Sequence, residues 1–344
     1  MTARPGRRGR IAAVAVATAV VTGLAGCGGD SAGSDSSTKT IDVVGFAVIK
    51  SAYDALGEGF EKTPAGEGVT FKGSYGASGA QSRAVIAGQE ADLVALSLTP
   101  DVDNIAKAGK IDPSWSSGAN KGIVSSSVVV IAVRKGNPKG IKGWADLVKP
   151  GVGIVTPDPG TSGSAKWNLL GAYTQALGPA KDKAAAESYL RGFIKNVVSW
   201  NDSGRTATDA FVKGTGDVLI SYENEAIAAR AAGVELDYVV PDTTFLIENP
   251  AAVLKDAGPS AKEFLTYIRS DAGQKILGGK GFRPIDGSPG TVTGVEGAND
   301  AAKPFPAVTN LVTVADLGGW SVVNDEFFDK ENGLVTKLRN ESGA

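Results

Sequence analysis

Hydrophobic residues occur along this chain in two alternating spacings. Short apolar runs over residues 41–46, 69–75 and 91–96 are typical of buried strands. Between them, apolar residues recur every three or four positions over residues 51–60, and residues 80–87 also predict a helix. This β-α-β-α-β order predicts an α/β fold with a mostly parallel sheet flanked by helices.

The same alternation continues after a long β-branched segment at residues 125–133. That segment can carry the chain into a second lobe. A strand is predicted at 152–155, a helix follows from Ser164, and another strand is predicted at 217–222. Residues 238–247 are expected to bring the chain back, and residues 263–277 and 325–338 each predict one amphipathic helix. We therefore expect the following segments: lobe 1 at 41–124 and 241–295, lobe 2 at 125–240, and a C-terminal segment at 296–344 packing across the lobes.

The N-terminus has the pattern of an export signal. Residues 1–10 are basic and residues 11–25 are apolar, which predicts a signal peptide at 1–26. Leu24-Ala25-Gly26-Cys27 resembles a bacterial lipobox, in which the cysteine becomes the lipidated first residue of the mature protein. We expect residues 27–40 to comprise this lipidated cysteine and a flexible Gly/Ser linker. The predicted location is extracytoplasmic, anchored to the cell membrane as a lipoprotein.

Composition narrows the chemistry. The 344 residues include no histidine and one cysteine. Histidine-based triads, intrachain disulfides and His- or Cys-based metal clusters are therefore excluded. We predict no catalytic residue, no metal and no cofactor. Residues 1–26 contain four arginines and no acidic residue, so their removal changes the formal net charge from −2 to −6. Such a chain has no general attraction for nucleic acid.

Three Gly/Ser-rich loops precede predicted helices, at residues 76–79, 156–163 and 202–205. A helix start presents unpaired backbone N–H groups and the positive end of the helix dipole, which together favour an anion. Each loop alone is most often simple capping. Three of them in two lobes favour one cleft that holds a small anion. The middle loop is not a nucleotide P-loop, because it lacks the second glycine and the hydroxyl after Lys166.

Several segments together resemble the bacterial sulfate-binding proteins of ABC importers, from about residue 41 to the C-terminal helix. The segments are GASGAQ at 76–81, EADLV at 90–94, DVD at 101–103, VRKGNP at 133–138, TPDPGTSGSAKWN at 156–168, DSGR at 202–205 and GDVLISYENEA at 216–226. The resemblance implies a two-lobed, type II periplasmic-binding-protein fold. It also implies a monomer that captures sulfate or thiosulfate and delivers it to an ABC permease.

The resemblance further implies a set of donors. These are the hydroxyl of Ser162, the backbone N–H groups of Ala47, Ser78, Gly163, Ser164 and Gly204, and the side chain of Tyr222, with Arg205 bracing the site from behind. Tyr222 stands where the family has tryptophan; both side chains donate, but a phenol can also accept. From the residues alone, Arg205 can equally be a surface residue and Tyr222 a core aromatic.

Sulfate only accepts hydrogen bonds near neutral pH, so a site made of donors suits it. We expect Asp158, the acidic residue nearest the middle loop, to face outward. Other functions remain open from the sequence: a receptor for phosphate or molybdate, or a lipoprotein with an adhesive or signalling role. A hydrolase is disfavoured, because no Gly-x-Ser-x-Gly elbow is present and Ser162 has no histidine to activate it.

Overall fold

The computed structural model describes residues 39–285 and 292–343. The predicted signal peptide, Cys27 and nearly all of the linker at 27–40 lie outside the described residues. So do residues 286–291 of the predicted return segment. Within the described ranges, none of the helices combines the length and the apolar composition needed to cross a membrane.

In chain order the strands are β1 (Lys39–Phe46), β2 (Val69–Gly76), β3 (Leu93–Ala95), β4 (Ile123–Arg134), β5 (Ile154–Pro157), β6 (Val197–Asn201), β7 (Val218–Tyr222), β8 (Leu236–Val239), β9 (Thr243–Val253) and β10 (Asn310–Val312). β1 to β5 and β7 follow predicted apolar runs, whereas β6 and β10 were not predicted.

The helices lie between these strands and after them. They are α1 (Lys50–Phe60), α2 (Ser78–Ile86), α3 (Thr99–Lys107), α4 (Gly163–Leu177), α5 (Lys183–Lys195), α6 (Gly204–Val212), α7 (Glu223–Ala231), α8 (Pro259–Arg269), α9 (Asp271–Gly279), α10 (Trp320–Phe328) and α11 (Leu334–Ser342).

The strands form a continuous sheet in the order β2-β1-β3-β9-β4-β7-β5-β6, with β8 beside β4 and β10 beside β9. β1 pairs in parallel with β2 and β3, and β5 pairs in parallel with β6 and β7. The predicted α/β pattern is therefore confirmed. β9 runs antiparallel to β3 and β4, and β4 runs antiparallel to β7.

β4 and β9 connect the two halves of the sheet. The first half of β4 pairs with β9, whereas its second half pairs with β7 and β8. The last residues of β9 pair with β3. The predicted lobe boundaries at residues 124 and 240 thus lie close to the starts of these two crossing strands.

Two single helices predicted from periodicity are each divided in two. Residues 263–277 fall in α8 and α9, which are separated by Ser270, whose hydroxyl accepts from the N–H of Gly273. Residues 325–338 fall in α10 and α11, and the Asp329 carboxylate between them accepts from the N–H groups of Glu331 and Asn332. Residues 238–247 span β8 and β9. A polar side chain that bonds the local backbone can end a helix. Because this does not alter the spacing of the apolar residues, periodicity alone does not reveal the break.

The C-terminal segment packs on the second lobe and on a crossing strand. The Trp167 and Trp320 rings meet edge to face at 4.9 Å between centroids, and the Tyr173 and Phe327 rings do so at 4.8 Å. β10 extends the sheet beside β9. These contacts fix α10 against α4, the helix that follows the middle Gly/Ser loop.

A buried ion pair ties the chain after α9 to the start of α7. The Arg283 guanidinium donates to the fully buried Glu223 carboxylate, from Nε at 2.6 Å and from Nη2 at 3.0 Å. Replacing Arg283→Met would leave that carboxylate buried without its partner. We expect a loss of about 3–5 kcal/mol in the free energy of unfolding, measured by urea denaturation.

The pH dependence of the free energy of unfolding of Arg283→Met tests whether the unpaired Glu223 carboxylate causes the loss of stability. Burial raises the pKa of Glu223. Between the pKa of the unfolded chain and this higher folded value, the folded state binds more protons, so the free energy of unfolding should rise as pH falls. The matched control, Glu223→Gln with Arg283→Met, should recover part of the loss and lack this slope. An equally steep slope in the control would contradict the assignment.

Candidate anion-binding site

Four backbone turns provide the predicted donors. Ser78 begins α2, Gly163 begins α4 and Gly204 begins α6. Ala47 begins a short 3-10 turn directly before α1. In the first turn of a helix, the N–H groups have no carbonyl partner within the helix. Each predicted backbone donor therefore lies where the local structure leaves N–H groups available.

The starts of α4 and α6 contact each other beside the 3-10 turn that begins at Ala47. A Cβ added at Gly204 would lie 3.0 Å from Ser164 Oγ and 3.1 Å from Val48 Cγ2. The start of α6 thus lies against the start of α4 and against the turn that begins at Ala47. Gly204 and Ser164, two predicted donors of lobe 2, therefore lie close to Val48, the chain neighbour of the predicted lobe 1 donor Ala47.

Tyr222 joins this group through hydroxyl contacts. Its phenolic oxygen lies 2.7 Å from Ser97 Oγ, and the Ser97 N–H donates to Ser78 Oγ at 2.9 Å. Burial raises the pKa of Tyr222, while hydrogen bonding with Ser164 and Ser97 partly opposes that rise. The side chain is therefore a neutral phenol, linked through Ser97 to Ser78 at the start of α2.

The middle loop closes against lobe 1 at Ser162 and Gly163. The Ser162 side chain is buried and does not cap α4. A Cβ added at Gly163 would lie 2.7 Å from Ser97 Oγ. Across the same junction, the Gly79 N–H donates to the Thr161 carbonyl at 3.2 Å. A small cleft of about 100 Å³ lies beside Ser162 and Gly163.

Arg205 lies behind the start of α6. Its Nη2 is 3.0 Å from Oε2 of Glu225, a carboxylate that is fully buried. Burial raises the pKa of Glu225, and the Arg205 charge opposes that rise. The contact has the distance of an ion pair but not the directional geometry of a hydrogen bond. It is consistent with the supporting position that the resemblance implies.

The sequence interpretation missed an acidic residue at this junction. Oδ2 of Asp101 accepts from Ser78 Oγ at 2.6 Å. Burial raises the pKa of Asp101, while Ser78 and the charges of Lys166 and Arg83 lower it. Asp101, Lys166 and Arg83 all line the small cleft, so opposite charges accompany the acid. Asp101 lies in the first turn of α3, so the strand-loop-helix rule used for the other loops could have found it.

Asp158 has its own partners. Its Oδ1 accepts from the Gly160 N–H at 2.7 Å, and its Oδ2 accepts from Nη2 of Arg339 at 2.7 Å. These bonds hold its carboxylate in the loop and against α11.

Ser97 and Trp167 were also missed as site residues, because the signal for them is spatial: Ser97 follows β3 and contacts residues far away in the chain.

The fold and the junction define a class of protein: two α/β lobes joined by crossing strands, with helix starts from both lobes facing a shared cleft. This is the architecture of a solute-binding protein. The family model described as bacterial extracellular solute-binding protein matches residues 41–283.

Individual relatives indicate which group within this family the chain resembles. The chain is 40% identical to a sulfate-binding protein of Synechococcus elongatus, over 97% of each chain. It is 32% identical to a thiosulfate-binding protein of Pseudomonas aeruginosa, over 83% of this chain and 88% of the relative. Among solved structures, the sulfate-binding protein SubI of Mycobacterium tuberculosis H37Rv matches with a TM-score of 0.79 and 42% identity, over 85% of this chain and all of that one.

The chain belongs to the bacterial extracellular solute-binding proteins, in the group of sulfate-binding proteins of ABC importers. The resemblance and the fold class predicted from the sequence are confirmed. Family membership also makes it a solute-binding protein and not an enzyme. The residues of the site and the lipid anchor stay predictions.

The close approach at Gly163 gives a test of the junction. Gly163→Ala would place a methyl group 2.7 Å from Ser97 Oγ and 2.8 Å from Leu98 Cγ. Overpacking of this kind should hold the lobes apart and weaken anion binding about tenfold or more. Calorimetric titration with sodium sulfate as the test anion would measure this.

A matched control is Gly258→Ala, also at a helix start, where an added Cβ would meet nothing within 4 Å. Its sulfate affinity should equal that of the unmodified chain. Thermal unfolding without anion should be nearly unchanged for both variants. Unimpaired binding by Gly163→Ala would show that closure at this contact is not needed.

Proposed function

We propose that this protein captures sulfate between its lobes and delivers it to an ABC permease. The observation that carries the proposal is the convergence of helix starts from both lobes around buried hydroxyl groups. Gly204 lies against Ser164 and Val48, and the Tyr222 hydroxyl lies 2.7 Å from Ser97 Oγ. Relatives named sulfate-binding, at 40% and 36% identity, and thiosulfate-binding, at 32%, support the ligand class, whereas a relative named molybdate-binding is 28% identical.

The proposed ligands are those implied by the resemblance. Ser162 donates its hydroxyl, Tyr222 donates its phenol, and the N–H groups come from the four turns described above. Charge-assisted hydrogen bonds contribute about 1.5–3 kcal/mol each. Several of them together offset the free-energy cost of removing water from the dianion. No arginine or lysine then needs to contact the anion directly.

Selectivity follows from the same donors. Sulfate carries no proton near neutral pH, so every oxygen can accept. Hydrogen phosphate keeps one proton, and a buried donor left without an acceptor costs about 1–3 kcal/mol. Asp101 also lines the cleft, where its Oδ2 receives the Ser78 hydroxyl at 2.6 Å. The proposed ligands themselves are all donors, and such a set favours sulfate over the protonated anion.

Competitive calorimetry with sulfate, thiosulfate, hydrogen phosphate and molybdate tests the proposal. Sulfate should bind most tightly. Ser162→Ala should weaken sulfate binding about 10- to 100-fold, because one charge-assisted hydrogen bond is lost. Ser117→Ala, which removes the hydroxyl of an exposed residue far along the chain from the site, should change nothing. Tighter binding of phosphate or molybdate than of sulfate would refute the proposed ligand.

We further infer that Cys27 carries the lipid anchor. The support is the lipobox-like segment that ends the apolar run at the N-terminus. Cys27→Ser should move the protein from the membrane fraction to the soluble extracytoplasmic fraction and abolish labelling with a radioactive fatty acid. Sulfate affinity should not change. Membrane retention of Cys27→Ser, with label still incorporated, would show that another residue is lipidated.

A further inference from the structure

Ser97 is a fully buried residue just after β3, at the junction of the lobes. Its backbone and side chain contact Ser78 in lobe 1, Trp167 and Tyr222 in lobe 2, and Asn249 on the crossing strand β9. It is not among the donors implied by the resemblance. Its position nevertheless connects the proposed anion donors of both lobes.

The direction of the hydrogen bonds at Ser97 follows from its partners. Trp167 Nε1 lies 3.1 Å from the Ser97 carbonyl and 3.2 Å from Ser97 Oγ. An indole N–H can only donate, so Ser97 Oγ accepts there. Its own hydrogen then needs an acceptor. Among the side chains that the structure describes around it, Tyr222 Oη at 2.7 Å is the recorded partner that can accept.

The consequence is a fixed direction for the Tyr222 hydroxyl. If Tyr222 donated to Ser97 instead, the buried Ser97 hydrogen would lack an acceptor, which is a costly arrangement. The phenolic oxygen therefore accepts from Ser97, and its hydrogen points away from Ser97. With its oxygen accepting from Ser97, the Tyr222 hydroxyl keeps its hydrogen for an acceptor on another side, which in the proposed site is the anion.

We propose that Ser97, held by Trp167, makes Tyr222 an obligate donor to the anion and so sets the discrimination against protonated oxyanions. This rests on the proposed function. Ser97 is a positioning residue, because it acts through Tyr222, which contacts the ligand. A phenol free to rotate could accept the proton of hydrogen phosphate; a phenol fixed as a donor cannot.

A double-mutant cycle with two anions tests this inference. The variants are Ser97→Ala, Tyr222→Phe and both together, titrated calorimetrically with sulfate and with hydrogen phosphate at pH 8. Ser97→Ala should lower the ratio of sulfate to phosphate affinity about tenfold, a change that loss of lobe contact alone would not produce. In the Tyr222→Phe background, Ser97→Ala should have no further effect on that ratio.

Trp167→Phe is the second variant, in case Ser97→Ala impairs folding. It removes the indole donor while keeping an aromatic ring, and leaves Ser97 free to accept from Tyr222. It should lower the ratio in the same direction. Far-UV circular dichroism and thermal unfolding verify that each variant is folded.

The outcomes separate the two proposals. If the unmodified protein does not bind sulfate, the proposed function fails. If it binds sulfate but Ser97→Ala keeps the affinity ratio, the inference is overturned and the function stands. The inference is also overturned if Ser97→Ala lowers the ratio of sulfate to phosphate affinity equally with and without Tyr222→Phe. Ser97 would then contact the anion directly.

Discussion

A doubly charged ion removed from water requires hydrogen-bond donors on every side, and one helix start can provide them only from one direction. Under the proposed function, this constraint accounts for the positions of the helix starts in the two lobes. The starts of α2, α4 and α6 must meet, although they come from two lobes and from positions far apart in the chain. Glycine at positions 163 and 204 permits the meeting, because a side chain there would overlap with Ser97 or with Ser164 and Val48.

The crossing strands make this convergence possible. β4 and β9 each belong to both halves of the sheet, so the lobes share a continuous backbone connection. Strands of this kind can bend while the pairing within each lobe is retained, as in hinge closure around ligands. The hydrogen bond from Gly79 N–H to the Thr161 carbonyl, at 3.2 Å, joins the two lobes in this conformation and adds to its stability.

The sequence predicted much of this architecture. β1 to β5, β7 and the starts of α2, α4 and α6 were located to within a few residues, because apolar periodicity and Gly/Ser loops report which face is buried and where a helix begins. The breaks at Ser270 and Asp329 were missed, since a side chain bonding its own backbone leaves the apolar period intact. Ser97 was missed for another reason: its role depends on which distant residues the fold places beside it.

Trp167 has a consequence for observing the protein at work. Its indole nitrogen donates to Ser97 of lobe 1, and its ring contacts Trp320 of the C-terminal segment and Phe245 of β9. Separation of the lobes would break the bond to Ser97 and admit water to a ring that is otherwise fully buried. Lobe separation would thus shift the emission of Trp167, one of the chain's five tryptophans, to longer wavelength without any attached dye.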